Sequence, residues 1–312
     1  HSGTRRQRQM CIRDRLLILL FQFSFSQEGG TKYEADIINF QKEVVAKLTG
    51  HKPIKGKKKL TSRASSSERK ITADFLFNSL KDIGLSPKRH SYDAQDSKGK
   101  QYSGVNVYAE IEATNGSDEY VILTAHYDTA KGSPGAVHNA TGVALMYYVA
   151  NKLMGLSERN RNFMIVFFDQ QEANMAGCKI FSSKLKKDET KVHSMHRVDY
   201  IGWDNDEDRA IELLTSNIGL ESLYRSEATR PVFKRLVATP ESRVFSNLGF
   251  ETITITAELK NGDNSPYAHQ TADKYTTVNF LYLVYVSEVV FKVMRSLSCL
   301  LYTSDAADEC HS

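Results

Sequence analysis

Apolar runs of strand length alternate with longer stretches of helical spacing along most of this chain, and that alternation limits the fold more than any other feature. Strand patterns occur at PKRHSYDA, GVNVYAEIEA, YVILTAHYD, NFMIVFFD, HRVDYIGWD and ETITITAE. Helical patterns cover 32–48, the stretch from a capping box at Ser65 and Glu68 through Leu80, about 140–154, the segment ANMAGCKIFSSKLK and an amphipathic stretch over about 278–296. Strands interleaved with helices in this way predict an α/β fold with a largely parallel central sheet.

In an open α/β sheet, chemistry gathers beyond the carboxyl ends of the strands. YVILTAHYD ends on His126 and Asp128, and NFMIVFFD runs into Gln171 and Glu172. HRVDYIGWD carries Asp199, the loop SPGAVHNATG adds His138, and YAHQTAD adds His269. One histidine at a strand end is an ordinary structural residue. Imidazoles and carboxylates at successive strand ends form a mixed nitrogen and oxygen donor set, which suits zinc.

The motifs AHYD, PGAVHNATG, FDQQE, VDYIG and YAHQTAD, in this order, resemble those of the zinc exopeptidases of metallopeptidase family 28, which include secreted aminopeptidases. The resemblance covers about 65–298. It implies a three-layer sandwich, a mixed, largely parallel sheet flanked by helices on both faces. It implies hydrolysis at the N-termini of peptides or proteins, with one zinc held by His126 and Asp199 and a second by Glu172 and His269. Position 138 would carry the carboxylate that bridges them, Asp128 would orient His126, and position 171 would carry the base that takes a proton from water. Here His138 stands at the bridge and Gln171 at the base. A neutral imidazole has one free nitrogen, so one zinc, or a second held much more weakly, is expected where the family holds two. An amide does not accept a proton near neutral pH, so impaired activity is expected. PESRVF also departs from the family, with Glu241 and Ser242 where an Asp and a His are usual. A catalytically inactive binding protein on this fold and a glutaminyl-cyclase-like transferase are the alternatives.

Residues 5–15, RRQRQMCIRDR, and 299–309, CLLYTSDAADE, can be encoded by reverse-complementary DNA. That is expected of a sequencing adapter translated at both ends of a fragment, so 1–15 and 299–312 are set apart from a single domain at 31–298. The apolar run 16–21 is too short to span a bilayer and fits the core of a truncated signal peptide at 16–27. The mature protein is therefore expected to be exported, periplasmic or extracellular, with no membrane span. The end segments carry five Arg and one Asp, and two Asp and one Glu, which leaves about +3 of the formal +4 on the remainder. That is no signature of nucleic-acid binding. Of four cysteines only Cys178 lies in the expected domain, which excludes an intrachain disulfide and a thiolate metal cluster there. DNDED at 204–208 resembles part of a calcium loop but lacks the glycine and glutamate of its sixth and twelfth positions, so a solvated turn is expected. The sequence sets no oligomeric state.

Overall fold

The computed structural model describes residues 30–96, 98–215, 219–260 and 262–299. The expected adapter at 1–15, the signal segment 16–27 and residues 300–312 lie outside the described residues. Two helices, α1 (Gly30–Leu48) and α2 (Ser66–Asp82), precede the strands β1 (Lys88–Gln95), β2 (Gln101–Ile111) and β3 (Glu119–His126). A one-turn π-helix (Ala136–Ala140) leads into α3 (Thr141–Met154), then β4 (Asn162–Phe168), α4 (Ala176–Lys187) and β5 (Lys191–Val198). The chain continues through β6 (Ile211–Leu214), α5 (Gly219–Glu227), β7 (Val232–Arg235), α6 (Pro240–Ser246) and β8 (Glu251–Ala257), and ends in α7 (Phe280–Cys299).

The strands form one sheet in the order β1-β2-β4-β3-β5-β8-β6-β7. The centre is parallel, with β4, β3, β5 and β8 running the same way, while β2 and β6 pair antiparallel at either side. This is the mixed, largely parallel sheet expected. Every residue of β4, NFMIVFF, is buried, as a strand covered on both faces must be.

Helices cover both faces. One core packs α1, α3 and α7 against the sheet, through residues such as Val45, Tyr148, Leu283 and Val290. The other packs α4 and α6, through Cys178, Phe181, Leu185 and Phe245 against Ile122, Met164 and Met195. The connection from β3 to β4 passes through α3 on the first face, and that from β4 to β5 through α4 on the second. The carboxyl end of β3 is thus a topological switch point, where a crevice opens.

Local signals act where expected. Ser65 and Glu68 close a reciprocal capping box at the start of α2. Several boundaries differ from the sequence reading. The strand expected at HRVDYIGWD starts earlier, at Lys191, and stops at Val198. Its first residue is exposed, and burial begins at Ser194, which bonds His196, while His196 bonds the Tyr224 hydroxyl at 2.8 Å. The short strands β6 and β7 carry too few residues for a period to show. The last helix runs three residues past its expected end, to Cys299.

Arg63 ties the N-terminal segment to the crevice. It is fully buried and donates to the carbonyls of Tyr127 at 2.6 Å, Leu48 and Pro134 at 2.7 Å, and Gly135 at 2.9 Å. Burial lowers its pKa to about 10, with the charges of Asp273, Asp128 and Glu68 opposing the fall, so it stays charged at neutral pH. Replacing it with methionine leaves four carbonyls without their charged donor. Arg63→Met is expected to lower unfolding free energy by at least about 3 kcal/mol, read from the urea midpoint. A loss below about 1 kcal/mol would contradict this role.

Candidate metal centre

The parallel strands deliver the expected residues to one edge. His126 is the last residue of β3, and Asp199 follows the end of β5 directly. Gln171 and Glu172 lie three and four residues beyond β4, His138 sits in the π-turn before α3, and His269 lies on the segment between β8 and α7.

Two donor groups form there. In the first, His126, His138 and Asp199 each place a ligating atom within 4.8 Å of the others. The Nε2 atoms of the two histidines face each other at 3.0 Å, and Asp199 Oδ1 lies 3.4 Å from His126 Nε2 and 3.3 Å from His138 Nε2. In the second, His138, Glu172 and His269 meet the same 4.8 Å criterion. Glu172 Oε1 is 3.4 Å from His138 Nδ1 and 3.2 Å from His269 Nε2. His138 therefore belongs to both groups, one ring nitrogen turned toward each.

The first group is buried and the second opens to solvent through Glu172 and His269. Asp199 Oδ1 and His138 Nδ1 are buried yet make no hydrogen bond. An orphaned carboxylate oxygen and an orphaned imidazole nitrogen within a nitrogen and oxygen donor set are what a zinc ion would satisfy. The residues present fit the metal.

Charge is arranged around these groups. Burial works against ionised His126, but hydrogen bonding and charge from Asp128 and Asp199 outweigh it and raise its pKa to about 9. Burial, joined by the charge of His126, lowers that of His138 against the pull of Asp199 and Glu172. Burial alone would raise Asp199, yet Arg197 and the two histidines hold it well below the usual carboxylate range. Arg197 contacts Asp199 Oδ2 at 2.6 Å and Glu241 at 3.5 Å.

Asp128 does more than the sequence reading gave it. Its Oδ1 lies 3.4 Å from His126 Nδ1, which also has the Asp128 carbonyl at 3.1 Å. The same carboxylate accepts the backbone N–H of Gln171 at 2.9 Å and of Glu172 at 3.0 Å. One side chain thus fixes a histidine and the segment bearing a carboxylate donor.

The sequence reading missed three residues here. Asp273 accepts the N–H groups of Val137 and His138 at 2.9 and 3.2 Å and holds the π-turn; it stands inside the quoted YAHQTAD. Arg197 sits two residues before Asp199, and side chains two apart along a strand share a face. Tyr200 stacks its ring on His138 at 4.0 Å. It lines a cavity of about 320 Å³ with Gln171, Glu172, Arg197, Leu214, Pro240 and Glu241, among others.

Comparison with known proteins follows the same line. A family model described as peptidase family M28 matches residues 106–294. The aminopeptidase YwaD of Bacillus subtilis is 23% identical over 167 residues, which is 53% of this chain and 32% of that protein. The chain thus matches about a third of the length of that curated relative. Among solved structures, BSAP, a zinc aminopeptidase from Bacillus subtilis, has a TM-score of 0.72 at 11% identity, covering 83% of this chain and 94% of its own. LapB from Legionella pneumophila has 0.68 at 19%, over 86% and 72%. The glutaminyl cyclase of Porphyromonas gingivalis has 0.68 at 16%, over 83% and 98%. At these identities the structural likeness is one of fold.

Asp128→Asn keeps the shape of the side chain but removes its charge. It is expected to lower zinc affinity about 10- to 100-fold in competition with a chromophoric chelator. Unchanged affinity would remove Asp128 from the support of this centre.

Proposed function

The chain belongs to peptidase family M28, and from that membership we propose a zinc-dependent, aminopeptidase-like exopeptidase, exported, with hydrolysis impaired by His138 and Gln171. The observation that carries this reading is the position of His138, shared by two donor groups that would otherwise each hold a metal.

His126, Asp199 and His138 Nε2 would hold a zinc, or Glu172, His269 and His138 Nδ1 would. When bound, the ion supplies Lewis acidity toward a carbonyl. The rest falls to the chain. The cavity of about 320 Å³ beside the donors has room for a terminal residue and little more, which supports action at a chain end. Apolar groups of Leu214 and Pro240 meet Glu241 and Arg197 on its wall. Gln171 lies on the same wall next to Glu172. Its amide can hold water or substrate by hydrogen bonds but cannot carry a proton away. Loss of a general base typically costs about 10²–10⁴ in rate.

Export rests on the segment 16–27. Among the described residues no helix is long and apolar enough to cross a membrane. The second reading, a binding protein on the peptidase scaffold, is favoured by the amide at position 171. On that reading the cavity still accepts peptide N-termini but releases them unchanged.

Hydrolysis of a panel of aminoacyl-anilides by the natural chain and by the His138→Asp/Gln171→Glu variant separates the possibilities. The variant is expected to be faster by about 10²–10⁴. Equal rates would show that another group takes the proton and would end the case for impairment. No turnover by either would favour the binding protein.

A further inference from the structure

The loop 204–208, expected to be a solvated turn, is joined by a carboxylate from far along the chain. Asp204, Asp206 and Asp208 lie just after β5, and Asp263 lies beyond β8. The four bring ligating oxygens within 4.8 Å of one another. Asp263 is only 3% exposed, and its Oδ1 accepts the Asn205 N–H at 2.6 Å. Its Oδ2 is buried and has no hydrogen-bond partner. Among the described residues no Lys, Arg or His forms an ion pair with any of the four. Asp204, 8% exposed, is held by the Arg209 N–H at 3.3 Å and the Asn279 amide at 3.2 Å.

Four carboxylates gathered this closely with no cation repel one another, and a buried carboxylate oxygen without a partner is costly. Burial, and then the neighbouring carboxylates, raise the pKa values of Asp204 and Asp263, against the N–H groups that they accept. A bound cation would relieve both penalties. All the donors are oxygens, which suits a hard ion such as calcium over zinc. The missing sixth-position glycine is no obstacle, because Arg209 takes up that turn with φ 59°. The missing twelfth-position glutamate is replaced in space by Asp263.

We propose that the 204–208 loop and Asp263 form a second divalent-cation site, of the oxygen-only kind that takes calcium. It shares no residue with the metal centre. It would still brace it, because the loop begins five residues after Asp199 and Asp263 precedes His269 by six.

The test uses the full chain, stripped with EDTA and dialysed, and calcium chloride as the only added metal. Saturating calcium is expected to raise the unfolding temperature by about 5 °C. The rise is expected to disappear in Asp206→Ala, which removes the oxygen donors at an exposed position, and to persist in Glu172→Gln. Trp203, the only tryptophan of the chain, adjoins the site, so terbium bound there is expected to luminesce on tryptophan excitation and to be displaced by calcium. No rise in the natural chain, an equal rise in Asp206→Ala, or a rise lost in Glu172→Gln would each overturn the site.

Discussion

A neutral imidazole has one lone pair to give, and His138 stands between two groups that both call on it. Its Nε2 faces His126 and Asp199, and its Nδ1 faces Glu172 and His269. A carboxylate in this place would offer an anionic oxygen to each side. The histidine offers a single donor atom unless it loses a second proton. What the crevice can hold, and so what it can catalyse, depends on this one ring.

The rest of the fold is built to keep that ring in place. Parallel strands bring His126, Glu172 and Asp199 to one edge, but His138 comes from a turn, which the sheet does not fix. Its position depends on Asp273, which accepts two N–H groups of the turn, and on Arg63, which gathers the carbonyls of the approaching loop. Tyr200 covers one face of the ring. Arg197 holds one oxygen of Asp199 and leaves the other turned toward the two histidines. Retention of this support sets His138 and Gln171 apart from general decay, since each stands among neighbours still arranged for a metal.

The architecture was readable in the chain because its signals are local and repeated. Strand periods, the Ser65–Glu68 capping box and the buried run of β4 each depend on near neighbours. The donor residues were readable because strand ends collect them on one edge. The paired use of the two ring nitrogens of His138 was not, because it arises from side-chain direction in a turn with no period. Asp263 was equally hidden, since no spacing rule links it to a loop 55 residues earlier in the chain. Asp128 was seen as support for one histidine, and its grip on the backbone at Gln171 and Glu172 appears only when β3 and β4 lie side by side.

Zinc content per chain tests the role of His138 most directly. The natural chain and His138→Asp would be saturated with zinc, freed of excess by gel filtration and measured by plasma mass spectrometry. One lone pair at position 138 predicts about one zinc per natural chain and about two in the variant. Two ions held tightly by the His126–Asp199 and Glu172–His269 groups of the natural chain would contradict it.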